Sequence, residues 1–206
     1  QGSYRAIFPR PKMGAIEAVM INTAGGITGG DRFSTKVTAH NHAKISLTTQ
    51  AAERIYRAPD ATPGSMQTRL EVKSNAQLYW LPQETILFEG SRLRRRLDVD
   101  VARESKFLMV EPIVFGRAAS GEILHYCALD DKVCISCEGT PIYVDRIKLN
   151  GDIALTLKRA AVADGARAMA SVVLVDQRAK VMMDGLRALL PCSGGASLVA
   201  DNLLVV

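Results

Sequence analysis

The sequence predicts a mainly β fold: an antiparallel β-sandwich-like or stacked-sheet scaffold with one or two helices near its C-terminal part. Three observations carry this. Apolar residues recur at every second position over many short stretches, and turn-forming residues separate those stretches. Helix-length connections of the kind a doubly wound parallel sheet requires are missing between them. Of the 206 residues 48% are hydrophobic but only 5% aromatic, so aliphatic side chains must fill the core. With no internal repeat and no low-complexity linker, one domain over residues 1–206 is expected.

The elements follow in order. Val37 and Ala39 share one face, and Ile45 and Leu47 continue a face begun by Ala43, so His40-Asn41-His42 falls where a hairpin turn belongs. In that turn His40 and His42 are exposed; on an unbroken strand they would share a face and make a metal pair. Gln50 to Arg57 reads either as a helical turn or as a continuing strand. Met66, Thr68, Leu70 and Val72 form the next stripe, Ser74-Asn75-Ala76 turns the chain, and Gln77 to Leu81 returns. Leu93, Leu97, Val99 and Val101 share one parity, with Asp98 and Asp100 on the other. Further strands are expected at 107–114, 123–128, 132–137, 141–149, 153–157, 168–175 and 197–206. One helix is expected after Asp176, where Val181, Met182, Leu186, Leu189 and Leu190 repeat at three-to-four spacing before Pro191 and Gly194-Gly195.

Composition excludes several classes. No apolar run reaches the roughly 18 residues of a bilayer span, and Gln1 to Arg5 lacks the layout of a signal peptide. The net charge is +5 with both signs mixed along the chain, apart from Arg92-Leu93-Arg94-Arg95-Arg96. Without stacking aromatics or a known nucleic-acid module beside it, that cluster reads as a solvated strand edge where positive charge blocks unwanted pairing. Cys134 and Cys137 have C-x-x-C spacing, but on a strand they point to opposite faces, so buried thiols of a reducing cytoplasm are expected. The chain begins without Met and stops inside an apolar pattern at Asn202 to Val206, and it is read as a fragment lacking an N-terminal strand region and a C-terminal tail.

Four segments invite chemistry. Ala24-Gly25-Gly26-Ile27-Thr28-Gly29-Gly30-Asp31 is rich in glycine, yet no Lys-Ser/Thr pair or helix follows, so it is not a nucleotide loop. Leu47 to Arg57 and Leu81 to Gly90 are polar stretches leaving the core, and Glu111 to Glu122 places Arg117 between two carboxylates. Asp31, Glu84, Glu111 and Glu122 are the acid–base candidates, with no spacing that ties two of them together. Cys192 has no base partner assigned to it.

These same segments resemble the UreD (UreH) family of urease accessory proteins. Its Gly-Gly-x-x-x-Gly-Asp core is matched by Gly25, Gly26, Gly29 or Gly30, and Asp31. A Thr-Thr-Gln-Ala-x-x-x-x-Tyr-Arg segment is matched at Thr48, Thr49, Gln50, Ala51, Tyr56 and Arg57. Leu81 to Phe88 match Leu-Pro-Gln-Glu-Thr-Ile-Leu-Phe, and Gly116, Arg117, Gly121 and Glu122 match Gly-Arg-x-x-x-Gly-Glu. Four motifs in one order are far more specific than any single one.

The resemblance implies a non-enzymatic cytoplasmic scaffold. Its partners would be an F-type urease accessory protein, a G-type GTPase accessory protein and apo-urease, and a dimer within the accessory complex is compatible with it; no nucleic acid or membrane is expected. No tightly bound cofactor is implied, but transient nickel is, passing along a polar internal route of oxygen and occasional nitrogen ligands that hold it weakly enough for release. Asp31, Glu84, Glu111 and Glu122 are the metal-path candidates. Thr49, Gln50, Tyr56, Arg57 and Arg117 are expected to hold the scaffold or a partner surface. The competing expectation is a small metal-assisted hydrolase using the clustered carboxylates.

Overall fold

The computed structural model describes residues 2–10 and 14–206; Gln1, used above in reading the amino terminus, lies outside them. The elements are β1 (Tyr4–Ile7), β2 (Ile16–Asn22), β3 (Arg32–Ala39), β4 (Lys44–Thr49), β5 (Glu53–Ile55), β6 (Gly64–Val72), β7 (Gln77–Leu81) and β8 (Thr85–Leu87). They continue with β9 (Ser91–Val101), β10 (Lys106–Phe115), β11 (Cys127–Cys137), β12 (Thr140–Gly151), α1 (Ile153–Leu157), β13 (Ala168–Val175), α2 (Ala179–Arg187), β14 (Ser197–Ala200) and β15 (Leu203–Val205). The protein is therefore mainly β, with stacked sheets, as its alternation predicts.

Strand pairing departs from the antiparallel expectation. One sheet runs β1-β2-β4-β7-β10-β13-β15-β14, with β8 also beside β10 and β5 beside β8, and the other runs β12-β11-β9-β6-β3. Within them β2, β4, β7 and β10 are parallel, and so are β3, β6, β9 and β11. The antiparallel strand pairs are those in which β1, β12, β13, β14 and β15 close the ends. The chain steps from one sheet to the other and back, laying each strand beside one from the previous coil, at a period of roughly thirty residues. The turns at His40 to His42 and Ser74 to Ala76, which look like hairpins, are crossings between the sheets. His40-Asn41-His42 joins β3 to β4, which lie in different sheets, so the turn bends the chain over the core instead of pairing its flanks.

Local differences have local causes. The 153–157 stretch is helical because Asp152 caps it, its Oδ1 accepting the Leu155 N–H at 2.9 Å. Ile153 and Leu157, two apart from Leu155 on either side, are also four apart from each other, and both are buried on one helical face. Residues 123–126 are irregular, and the strand instead runs unbroken from Cys127 to Cys137. The chain between Gln50 and Arg57 resumes as the short β5. In α2 the buried residues are Ala179 and Met183, Val181 is exposed, and the helix ends before Leu189, which is exposed as well, so the helical apolar face predicted through Leu190 is not formed.

The arginine cluster is no strand edge. β9 is the central strand of the five-stranded sheet. Alternation along it points Ser91, Leu93, Arg95, Leu97, Val99 and Val101 inward, so Arg95 is buried while Arg94 and Arg96 face solvent.

Candidate functional site: a charged layer across the core

Between the sheets the interior is apolar but divided. One cluster gathers Leu70, Leu97, Met109 and Val133, and another gathers Leu93, Ile113, Leu129 and Phe115. The strands crossing from one cluster to the other each insert a polar residue at the boundary. Thr68 does so on β6, Arg95 on β9, Glu111 on β10 and Asp131 on β11, all of them buried.

The charged side chains among them satisfy one another. Arg95 and Asp131 are register partners on adjacent strands, and the guanidinium grips the carboxylate with two donors, Nε to Oδ1 at 2.9 Å and Nη2 to Oδ2. Nη2 also meets Glu111 Oε2 from the opposite sheet at 3.0 Å, and Nη1 donates to Thr85 Oγ1 at 3.2 Å. Trp80, the only tryptophan in the chain, donates its Nε1–H to Glu111 Oε1 at 2.7 Å. Among the described residues no buried side-chain nitrogen or oxygen lacks a partner. Burial opposes the charged form of Arg95. The Glu111 and Asp131 carboxylates outweigh it and hold the guanidinium pKa above its ordinary value. Two carboxylates against one guanidinium leave the layer with one formal negative charge when all three are ionised.

The layer shares walls with spaces that approach the surface. A surface cleft of about 200 Å³ is lined by Tyr4, Asn22, Thr49, Gln50 and Glu53. Tyr4, Thr49 and Glu53 also line an inner void of about 20 Å³ whose other walls include Thr85, Arg95 and Glu111, about the room a single water occupies. A third, of about 10 Å³, lies on the far side, where Arg95, Glu111 and Asp131 meet Asp145 and Ser171. Glu53 stands where cleft and void share a wall. It is buried and accepts Asn22 Nδ2–H at 2.9 Å. Burial pushes its pKa up, against the smaller downward pull of that hydrogen bond. Tyr4 beside it is pushed up to about 12 by burial and by the Glu53 charge.

Of the four carboxylates singled out in the sequence, Glu111 lies at the centre of the layer. Asp31 closes the glycine loop, its Oδ2 accepting the Thr28 N–H at 2.9 Å. Glu84 is half-buried between β7 and β8, and its carbonyl accepts the Glu53 N–H. Glu122 is committed to another loop, accepting from the Arg117 side chain and from the backbone N–H groups of Arg117 and Glu89. Burial pushes its pKa up, but these partners together bring it below the ordinary carboxylate value. The four are not gathered in one place, and among the described residues no group of three or more His, Cys, Asp and Glu side chains is placed to hold a metal ion.

Of the remaining sequence candidates Thr49 and Gln50 line the cleft, while Tyr56, Arg57 and Arg117 are not among its lining residues. Thr49 Oγ1 donates to the Ala51 carbonyl at 3.0 Å and accepts the Gln83 N–H at 3.0 Å, and Gln50 lies exposed on the cleft wall. Tyr56 donates to the Gly25 carbonyl and packs edge-on against Phe88, and the Arg117 guanidinium lies 4.4 Å from the same Phe88 ring. The Arg57 carbonyl accepts from Thr28 Oγ1 at 2.9 Å. Gly26 explains the glycine motif: a Cβ there would fall 2.6 Å from the Arg54 carbonyl oxygen and against the Tyr56 ring, so only glycine allows this approach. Sequence reasoning missed Arg95, Asp131, Glu53, Thr85 and Trp80.

Parallel coiling of two β-sheets about a charged inner layer, fronted by a glycine-tightened loop and a polar cleft, defines a solenoid-like β protein whose loop motifs serve its architecture. The chain belongs to the UreD family of urease accessory proteins, whose profile matches residues 1–206. It is 44% identical over 205 residues to the urease accessory protein UreD of Roseobacter denitrificans, covering 100% of this chain and 75% of that protein. The UreD of Ruegeria pomeroyi is likewise 44% identical, over 100% of this chain and 80% of its own length. That of Ruegeria sp. is 45% identical over 98% of this chain and 71% of its own.

Proposed function

We propose that this chain is a non-enzymatic cytoplasmic scaffold of urease maturation, which holds apo-urease and the other accessory proteins together and passes nickel toward the urease centre along its charged inner layer. The observation that carries the reading is the succession of spaces from the Tyr4–Glu53 cleft to Arg95, Glu111 and Asp131, which share these charged side chains among otherwise mostly apolar walls. The carboxylates along it offer oxygen ligands, which suit nickel less well than imidazole does and so favour an ion that must be released again. Glu53, at the shared wall, is the entry ligand in this reading, and Glu111 and Asp131 are the inner ones. Arg95 keeps those two carboxylates from holding a cation tightly, which favours passage over storage. GTP hydrolysis belongs to a G-type partner, recruited through an F-type accessory protein.

The test is co-expression of the chain with an F-type accessory protein, a G-type GTPase and apo-urease, followed by measurement of complex formation and of nickel in urease. A stable complex is expected, with nickel loading reduced in Glu53→Gln and Glu111→Gln while the complex survives. No complex with folded protein would overturn the scaffold role. Unchanged loading in both variants would overturn the inner route alone.

A further inference from the structure

The outer face of the five-stranded sheet, opposite the side that carries the charged layer, concentrates positive charge in register. Cross-strand pairing sets Arg32 of β3, Arg94 of β9 and Lys148 of β12 in one row, with Asp130 between the last two. The next row holds Arg96, Lys132 and Arg146, and the third holds Lys36 and Arg69 beside Asp98. Adjacent strands are about 4.8 Å apart and rows roughly 6.7 Å apart, so each of these charges has another of the same sign within about one screening length.

Counted over all outward positions of the five strands, nine Lys and Arg stand against four Asp and Glu, Glu71 and Asp100 lying beyond the third row. This single face therefore carries a net +5, equal to the net charge of the whole chain. The remainder of the protein is neutral in sum. A face whose only task is to stay soluble needs mixed signs, whereas repeated like charges at cross-strand positions cost stability. Arg32, Arg69 and Arg94 are exposed and, among the described residues, form no ion pair.

We propose that this face is a docking surface for an acidic face of a protein partner in the urease maturation assembly, an inference that rests on the scaffold reading above. The chemistry favours protein over nucleic acid in two ways. No aromatic side chain stands among the outward residues of these three rows to stack on a base, and the ring of Tyr126 at the end of the face is already taken by the Arg92 guanidinium 4.8 Å away. The face also holds two internal ion pairs, Arg96 with Asp98 at 2.7 Å and Arg146 with Asp130 at 2.9 Å. Their carboxylates would repel a phosphodiester chain, but they can each meet a lysine or arginine set within a mostly acidic protein surface. Charge complementarity of this kind steers encounter and fixes orientation more than it adds raw affinity.

The experiment compares the wild-type chain with Arg32→Glu/Arg69→Glu/Arg94→Glu, each co-expressed with urease and the accessory proteins, the complexes being isolated at low and high salt. A Lys158→Glu/Arg159→Glu variant, outside the face, is the control, and circular dichroism establishes that each variant folds. The expected result is that the triple reversal weakens one protein partner by about tenfold or more, and that a neutral Arg→Gln triple falls between. Salt should weaken that same partner in the wild type, and the control should bind normally. If the wild-type complex forms and the triple reversal binds every partner as tightly, the docking surface is overturned while the scaffold reading stands. If no wild-type complex forms, the scaffold reading fails and this inference with it. Salt-dependent binding to a random DNA duplex, lost in the triple reversal while all protein partners remain, would overturn it in favour of a nucleic-acid surface.

Discussion

Arg95 and Glu111 meet across the interior from opposite sheets, Nη2 to Oε2 at 3.0 Å, at the boundary between two apolar clusters. A pair so placed ties the sheets together, and it is costly to break from one side. Replacing Arg95 by Met leaves Glu111 and Asp131 buried without their cation. The expected loss is about 3–5 kcal/mol, read as a lower midpoint in denaturant unfolding. The triple change Arg95→Met/Glu111→Gln/Asp131→Asn should recover much of it, because the uncompensated charge is then gone. A triple variant as unstable as Arg95→Met would show that packing, not charge, sets the cost.

Trp80→Phe removes the indole donor to Glu111 and conserves most of the ring. About 1–3 kcal/mol should be lost for the buried acceptor left with one partner fewer. As Trp80 is the only tryptophan and is 6% exposed, wild-type fluorescence should shift to the red on unfolding. Thermal melts followed by circular dichroism compare the two proteins on equal terms.

Gly26→Ala should cost about 1–3 kcal/mol, since the new methyl must displace the Arg54 carbonyl or the Tyr56 ring. Tyr56→Phe loses only an exposed hydrogen bond to the Gly25 carbonyl, and a change within about 0.5 kcal/mol is expected. Equal melting temperatures for Gly26→Ala and wild type would refute the close-approach account.

Glu53 sets a pH dependence of definite sign. Its folded pKa lies above the ordinary carboxylate value because of burial, so the folded state holds the proton more tightly than the unfolded chain does. Its contribution is fully present below the unfolded value and is lost as pH rises through the folded one. Glu53→Gln should therefore be more stable than wild type at pH 7, with the gap closing as pH falls below the ordinary glutamate range. Melting temperatures measured across that range check it, and a gap that widens in acid would contradict it.

Strand positions are legible in this sequence because each strand buries one face, and alternation reports that directly. Pairing is not, because the turn at His40 to His42 has the same residues whether it closes a hairpin or crosses between sheets. The thirty-residue coil escapes notice for a related reason: it repeats a path and an inward parity, not particular side chains. Arg95 was within reach. It shares the parity of Leu93, Leu97 and Val99, and only its neighbours Arg94 and Arg96 disguise it as part of a solvated run. Asp131 and Glu111 sit equally in phase with Leu129 and Val133, and with Met109 and Ile113. The general signal is a charged residue at an inward position of several strands at once. Which of them meet is a matter of register between strands far apart in sequence, and alternation along single strands does not contain it.

The parallel coil has a consequence for the birth of the protein. A strand of β4, β7 or β10 finds its lateral partner only after a full circuit of chain has been made, so few stabilising contacts are local and the mean sequence separation of contacts is high. Loop closure must be met before each rung is rewarded, which places folding in the millisecond-to-second range or slower and leaves unpaired edges open meanwhile. During synthesis the latest rung always waits, edge bare, for a neighbour still inside the ribosome. Such a chain gains from companions that cover it early, and its yield of soluble product should depend on what is being made beside it.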